Sequence, residues 1–526
     1  MRRLLAALVL TVSVPSLAAA QADAWWGHVT ALADDSMRGR ETGSAEHRRA
    51  AEYVAGAFQR AGLVPAGTDG WFQPVRFRVR RIAEGRSSVA LIRAGKAETL
   101  ELGKDATINL RSSSRGKVDA PLVFIGYGIR VPDHGHDDLA GLDLKGKVAV
   151  VLAGVAPKGI PGPALAAGRA AGAEALHQAG AVGVLTIYPP HSDIPWDRYS
   201  LAPLHPQMRL ASDTAAQAGG ATIAVVLNPS NATALFAGSR RSYAALQALA
   251  DSGAPIPRFD LPVRLRATVA LNESEAVSDN VVGLLSGSDP VLKAEHVALT
   301  AHLDHLGVGQ PLAGDSIFNG AMDNASGVAT LIETAKALAS GPGLRRSVLF
   351  VAVTGEEKGL LGSDYFAEHP SMGTGGTLVA DLNTDMFLPI NPLRRLLVNG
   401  LEESDLADDV RRAAARRGIE VITDPEPERN AFVRSDQFSF IRRGIPALSL
   451  KVGFALGSPE HERVLRWRQE RYHGVEDEVT QPVDRQGAED FNRLYPLIVA
   501  EVANRAVKPA WYPGSAFRPE ATATGH

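Results

Sequence analysis

Five short strings in the second half of the chain carry side chains suited to metal chemistry. They are His302-Leu303-Asp304, Asp323 within Asn319 to Gly327, Glu356-Glu357, Asp385, and His473 in Tyr472-His473-Gly474. The chain has no cysteine, which excludes disulfides, thiolate ligands and a cysteine nucleophile, so any metal must sit on imidazole and carboxylate groups. Two His and three carboxylates can hold a pair of Zn2+ ions about 3.5–4 Å apart, with one carboxylate bridging both. One acidic residue is then left over to act as a base. Asp304, two residues beyond His302, is placed to accept the second imidazole N–H and fix its tautomer. Buried without cations, such a charge cluster would be strongly destabilising.

Each string also has an ordinary explanation when taken alone. His-x-Asp is commonly a loop hydrogen bond, and Asp323-Asn324 reads as a helix cap. Glu356-Glu357 fits a solvated helix start favoured by the dipole, Asp385 a turn, and His473 a structural or exposed histidine. Their joint placement argues otherwise. After Asn280 the pattern predicts strands at His296–Ala301, Ser347–Val353, Leu378–Leu382, Leu396–Val398 and Ala447–Leu450, alternating with helices at Gly327–Ala339, Leu406–Arg417 and Ala488–Val507. The fold class expected is α/β, a mixed, mainly parallel twisted sheet flanked by helices. Ligand sites of such sheets gather beyond the carboxyl ends of strands, where these strings fall.

The upstream half has a different texture. Asp23 to Gly62 reads as helical, with Gly62 as a stop. Residues 74–270 break into short β-rich runs separated by Gly and Pro, such as Val75–Val79, Val89–Ile92, Val148–Leu152 and Ala221–Leu227, with one helix at Leu165–Ala179. Residues 1–20, with Met1-Arg2-Arg3, an apolar run and Ala18-Ala19-Ala20, have the layout of a secretory signal peptide and are too short to span a bilayer. An exported bacterial protein, periplasmic or secreted, without stable membrane insertion is therefore expected. The 526 residues are 45% hydrophobic with a net charge of -3, enough for two or three domains, too apolar for disorder, and lacking the basic excess that nucleic-acid binding needs. Residues 508–526 are expected to form a flexible tail.

The strings Ala301-His302-Leu303-Asp304-His305, Asn319 to Gly327, Thr354-Gly355-Glu356-Glu357, Asn383-Thr384-Asp385-Met386 and Tyr472-His473 together resemble the co-catalytic dizinc exopeptidase family, which includes secreted bacterial leucyl aminopeptidases and glutamate carboxypeptidases. The resemblance implies a zinc exopeptidase fold over residues 21–73 and 271–507. It also implies that His302 and Asp385 hold one zinc, Glu357 and His473 the other, and Asp323 both, while Asp304 orients His302 and Glu356 is the general base. Neighbouring Glu356 and Glu357 must then point differently, so a strand end or loop is expected there rather than a helix.

Residues 74–270 resemble a protease-associated domain inserted into the peptidase domain, through Val123-Phe124-Ile125-Gly126-Tyr127-Gly128, Leu144-Lys145-Gly146-Lys147-Val148 and Ala179-Gly180-Ala181-Val182-Gly183. Such an insertion either covers the cleft or packs passively. The text departs from the family at His473-Gly474-Val475-Glu476-Asp477, where His-Thr-Pro is frequent. His305 is expected beside the ligands, His461 in a loop, and Arg434-Ser435-Asp436-Gln437 along the pocket. The activity implied is an aminopeptidase acting on peptides. Alternatives are a glutamate-type carboxypeptidase, for which Arg434, Arg442 and Arg443 offer a cationic pocket, a one-zinc glutaminyl cyclase, and a non-catalytic receptor-like relative, against which the intact ligand set speaks.

Overall fold

The computed structural model describes residues 17–110, 116–154, 157–160, 162–188, 195–201, 204–213, 223–373 and 375–519. Most of the expected leader, residues 1–16, lies outside the described residues; residues 17–20 open the helix Leu17–Leu32. Trp25, Val29 and Leu32 recur at helical spacing and are fully buried. The helical stretch expected from Asp23 to Gly62 is broken in two. Asp34 caps a short turn Asp35–Arg40 in which Arg38 and Gly39 adopt left-handed backbone, and Ser44 caps a second helix, Ala45–Arg60.

Ten strands form the main sheet. Its centre is parallel, with Ser347–Val353, Glu295–His302, Thr377–Asn383 and Ala447–Val452 side by side. The flanks are antiparallel: Leu271–Leu285 and Phe72–Ile82 on one side, Arg395–Asn399 on the other. The central runs are almost wholly buried because helices cover both faces. Helices Leu17–Leu32, Ala45–Arg60, Ser326–Ala339, Leu406–Ala415 and Arg485–Asn504 share one core with one face. Leu361–Glu368 and Gln437–Ile441 supply Phe366 and Phe440 to the other.

A second, eight-stranded sheet with its own core is built from residues between Ser88 and Val269. The expected strand Val75–Val79 does not belong to it. That segment lies in Phe72–Ile82 of the main sheet, paired from Phe72↔Val281 to Ile82↔Leu271. The chain therefore leaves and re-enters the main sheet at adjacent residues of one antiparallel ladder, and the second sheet is carried as the loop of that hairpin. Within the loop, Gln207–Leu210 returns to pair with Phe72–Ile82.

Two further expectations change. Residues 508–519 are docked, with Trp511 Nε1 donating to Gly444 O at 2.8 Å and Trp511 and Phe517 packed on the sheet's second face. Apolar side chains hold this segment where composition alone predicts looseness, while residues 520–526 lie outside the described residues. The stretch before His473 holds a helix, Pro459–Glu470, capped by Ser458 and burying only Val464 and Trp467. Its many charges conceal the narrow apolar stripe. No helix among the described residues is long and apolar enough to cross a membrane.

Arg40 locks the N-terminal helices to the sheet. Its fully buried guanidinium donates to Leu303 O at 2.9 Å, Asn319 O at 2.8 Å, Gly320 O at 3.0 Å and Leu32 O. Arg40→Met strands these carbonyls and is expected to cost at least about 3 kcal/mol in denaturant unfolding. Arg40→Lys, which keeps the charge but loses the fork, is expected to fall between.

His47 is buried against Ser278 Oγ, 3.1 Å from its Nδ1. Burial, with the charges of Arg40 and Arg48 nearby, lowers its pKa to about 3. The folded chain thus keeps the ring neutral while the unfolded chain protonates it below pH ~6.5. Stability above that pH is unaffected. Below it, this ring alone costs about 1.4 kcal/mol per pH unit until its folded pKa is reached. His47→Gln is expected to remove that component of the slope, as read from unfolding midpoints measured from about pH 7 to about pH 4.

Candidate metal centre

Three adjacent parallel strands end at the same place. His302 closes Glu295–His302 in register with Val353, Glu356 and Glu357 follow Ser347–Val353, and Asp385 follows Thr377–Asn383. His302 Nε2 lies 3.2 Å from Asp323 Oδ1 and 3.3 Å from Asp385 Oδ1. His473 Nε2 lies 3.3 Å from Asp323 Oδ2 and 3.4 Å from Glu357 Oε2. The five side chains singled out as ligands thus converge, and Asp323 turns one oxygen toward each imidazole. Glu356 and Glu357 sit in a turn before the helix Leu361–Glu368, which lets neighbouring side chains diverge.

Asp304 works differently from expectation. Its main-chain carbonyl, not its carboxylate, lies 3.0 Å from His302 Nδ1. The carboxylate instead accepts the Glu356 N–H at 3.1 Å, the Glu357 N–H at 3.4 Å and the Thr42 hydroxyl at 2.9 Å. With the carbonyl already at the ring, the side chain is free to hold the turn that carries both glutamates. His305 Nδ1 lies 2.8 Å from Glu357 Oε1, the oxygen facing away from His473. A nitrogen of His305 and oxygens of Asp323 and Glu357 lie within 4.8 Å of one another.

Three further groups that the sequence reading left without a role hold the Asp323 loop. Asp477 accepts from Met322 N at 2.9 Å and Asp323 N at 3.0 Å, tying that loop to the His473 segment. The Asn324 carboxamide donates to Thr384 O at 2.9 Å and accepts from Gly327 N at 3.0 Å, tying it to Asp385. Arg40 secures Asn319 and Gly320 from the far end of the chain. Asp477 and Asn324 each stand near a proposed ligand in the sequence, so proximity could have flagged them; nothing local marks Arg40. Gly320, at φ 61°, is required here, since a Cβ would lie 2.2 Å from Asp323 O and 2.5 Å from His305 Cγ. In the Arg434–Gln437 segment, Arg434 and Ser435 line the cavity, while Ser435 Oγ and Gln437 Oε1 accept from Asn383 Nδ2, just ahead of Asp385. His461 is on a helix, stacked on Phe454 at 4.9 Å.

The electrostatics are those of a crowded, desolvated site. Burial opposes ionisation of Asp323, yet the adjacent imidazoles of His302 and His473 pull its pKa well below the carboxylate range. Asp385 is also lowered: burial opposes this, but the Lys451 charge and His302 outweigh it. Burial disfavours imidazolium at His302, but Glu356, Asp323 and Asp385 raise it well above its ordinary value. Glu356 is shifted oppositely to Asp323, Glu357 and Asp385. Burial, aided by Glu357, Asp436 and Asp385 and resisted by His302, pushes it well above the usual range. Asp323 Oδ2 is a buried acceptor near His473 that lacks an aligned hydrogen bond, a feature a cation would answer.

A cavity of about 740 Å³ opens over the site. The second-sheet body contributes Tyr188, Arg198, Tyr199 and His205 to its wall, and Leu388, Lys451, Phe454 and Trp467 line it from the main-sheet body. Arg198 Nη1 donates to Tyr472 O at 2.7 Å, so the inserted body grips the loop bearing His473.

Comparisons with known proteins agree with this geometry. Residues 280–497 match the model of peptidase family M28. The aminopeptidase YwaD of Bacillus subtilis is 27% identical over 235 residues, covering 44% of this chain and 46% of that protein, so the chain matches just under half of that relative's length. Among solved structures, an aminopeptidase from Aneurinibacillus sp. strain AM-1 matches at 19% identity and TM-score 0.58, over 94% of this chain and 95% of that one. A zinc aminopeptidase from Bacillus subtilis matches at 20% identity and TM-score 0.55, over 92% and 95%. At these identities the structures establish the shared fold, inserted body included. The match to peptidase family M28 spans residues 280–497, the stretch that holds His302, Asp323, Glu356, Glu357, Asp385 and His473.

Proposed function

We propose that this chain is an exported metallo-aminopeptidase that hydrolyses N-terminal residues from peptides with two zinc ions. The observation that carries this reading is Asp323, whose two carboxylate oxygens face two separate His–carboxylate pairs. His302 and Asp385 would hold one ion and His473 and Glu357 the other, with Asp323 placed between the two pairs. The donor set is all nitrogen and oxygen, as paired zinc accepts. When bound, the ions supply an acidified water and a polarised scissile carbonyl.

The chain's own groups do the rest. Glu356, on the cavity wall with its amide pinned by Asp304, takes the proton from the attacking water and returns it to the leaving amine. Burial beside Glu357, Asp436 and Asp385 raises its pKa. Asp304 and His305 hold Glu356 and Glu357 in divergent directions. The insertion is proposed to be a protease-associated domain that narrows access, supported by its grip on the Tyr472 carbonyl.

The names of the relatives favour free N-termini. The cationic pocket considered for a carboxypeptidase is weakened, since Arg442 and Arg443 are both paired with Asp364, at 2.8 and 2.6 Å. The expected outcome is cleavage of peptides with free but not acetylated N-termini, lost with chelator and restored by zinc. Release of C-terminal residues from acetylated peptides would select the carboxypeptidase instead. Glu356→Gln is expected to lower kcat by roughly 10²–10⁴ while zinc content stays at the wild-type level. Metal analysis checks this, because loss of zinc makes Glu356 a ligand.

A further inference from the structure

The cavity wall across the sheet from the inserted body sets charged groups among apolar ones such as Leu397, Phe454 and Trp467. It includes Lys451, Arg429 and Arg468 together with Asp424 and Glu426. Lys451 lies on Ala447–Val452, opposite Leu397 of the neighbouring strand. Along its strand Leu448, Leu450 and Val452 enter the core, while Ser449 and Lys451 alternate onto the cavity.

The other charges have partners. Glu426 takes Arg468 at 2.7 Å and faces His461 at 3.5 Å. Asp424 feels both Lys451 and Arg429. Among the described residues no carboxylate reaches ion-pair distance of Lys451. Its field comes from Asp385 and Asp323, which attract, and from Arg468 and Arg429, which repel. Under the function proposed above, Asp385 and Asp323 are committed to cations. Lys451 then lines the cavity beside the reacting centre as a cation with no described carboxylate at ion-pair distance.

We propose that Lys451 receives the side-chain carboxylate of the residue being released, making the enzyme selective for peptides with N-terminal glutamate or aspartate. This rests on the aminopeptidase reading and deepens it. Burial weakens the Lys451 charge, and an arriving carboxylate restores what burial removes. A charge-assisted contact of this kind discriminates by roughly ten- to a hundredfold against a neutral isostere.

The test is kcat/KM of the zinc-loaded full-length enzyme on matched substrates with N-terminal Glu, Gln, Asp, Asn and Leu. Wild type is expected to prefer Glu over Gln and Asp over Asn by about tenfold or more. Lys451→Met is expected to bring both ratios to about one, with zinc content and melting temperature measured alongside. Lys451→Glu is expected to shift preference toward N-terminal Lys. Ratios near one in wild type, or ratios unchanged in Lys451→Met, overturn the proposal while leaving the aminopeptidase reading standing. Cleavage of none of these substrates overturns both. An N-acetylated peptide with C-terminal Glu is the remaining arm, and faster release of that residue moves the carboxylate to the other side of the scissile bond and also overturns the proposal.

Discussion

Gathering Asp323, Glu357, Asp385 and Glu356 in one desolvated pocket is the constraint on which the rest of the structure depends. Like charges held this close and this dry repel strongly unless cations or protons compensate. The carboxylates around them raise the pKa of both His302 and His473 despite burial. Under the proposed function, bound metal ions would supply the compensation and the two imidazoles would be ligands, a role that needs their directions fixed beforehand.

Fixing those directions occupies much of the surrounding polar network. Each ligand loop is tied to another by a buried group. Asp477 joins the Asp323 loop to the His473 loop, Asn324 joins it to Asp385, and Asp304 joins the His302 loop to the two glutamates. Arg40 binds the carbonyls on either side of this arrangement. Pre-organisation of this kind keeps ligands aimed at a site rather than at one another. The parallel centre of the sheet makes it possible, because its strands deliver several loops to one edge.

The sequence disclosed the centre better than its surroundings. Convergence of candidate side chains at the ends of buried apolar runs is legible because strand, turn and metal-type side chain occur within a few residues, as at His302 and Glu356. The central strands were legible for the same reason: Ser347–Val353 is apolar and buried throughout. What escaped was long-range or disguised. Arg40 lies some 260 positions from the carbonyl of Leu303 that it binds. The helix Pro459–Glu470 hides two buried residues among charges. The Asp304 carboxylate was assigned to the nearest imidazole because spacing cannot distinguish a side-chain acceptor from the main-chain carbonyl of the same residue. Sequence places Val75–Val79 in the β-rich middle because the strand it pairs with, Leu271–Leu285, stands nearly two hundred residues away.

The hairpin origin of the insertion also bears on how the cavity is enclosed. Because Phe72–Ile82 and Leu271–Leu285 stay fully paired, the inserted body is anchored at one flank of the main sheet, and Gln207–Leu210 extends that anchorage by a further strand. The opposite flank, with Arg395–Asn399 and Ala447–Val452, supplies Leu397, Asn399 and Lys451 to the cavity. Under the proposed function, a peptide lying between them would cross the strand ends where the proposed ligands stand. On one side it meets Tyr188, Tyr199 and His205 of the insertion, and on the other the charged wall around Lys451. The two flanks are not independent, because Arg198 reaches from the insertion to the carbonyl next to His473, so displacement of the inserted body acts directly on the loop that carries this proposed ligand.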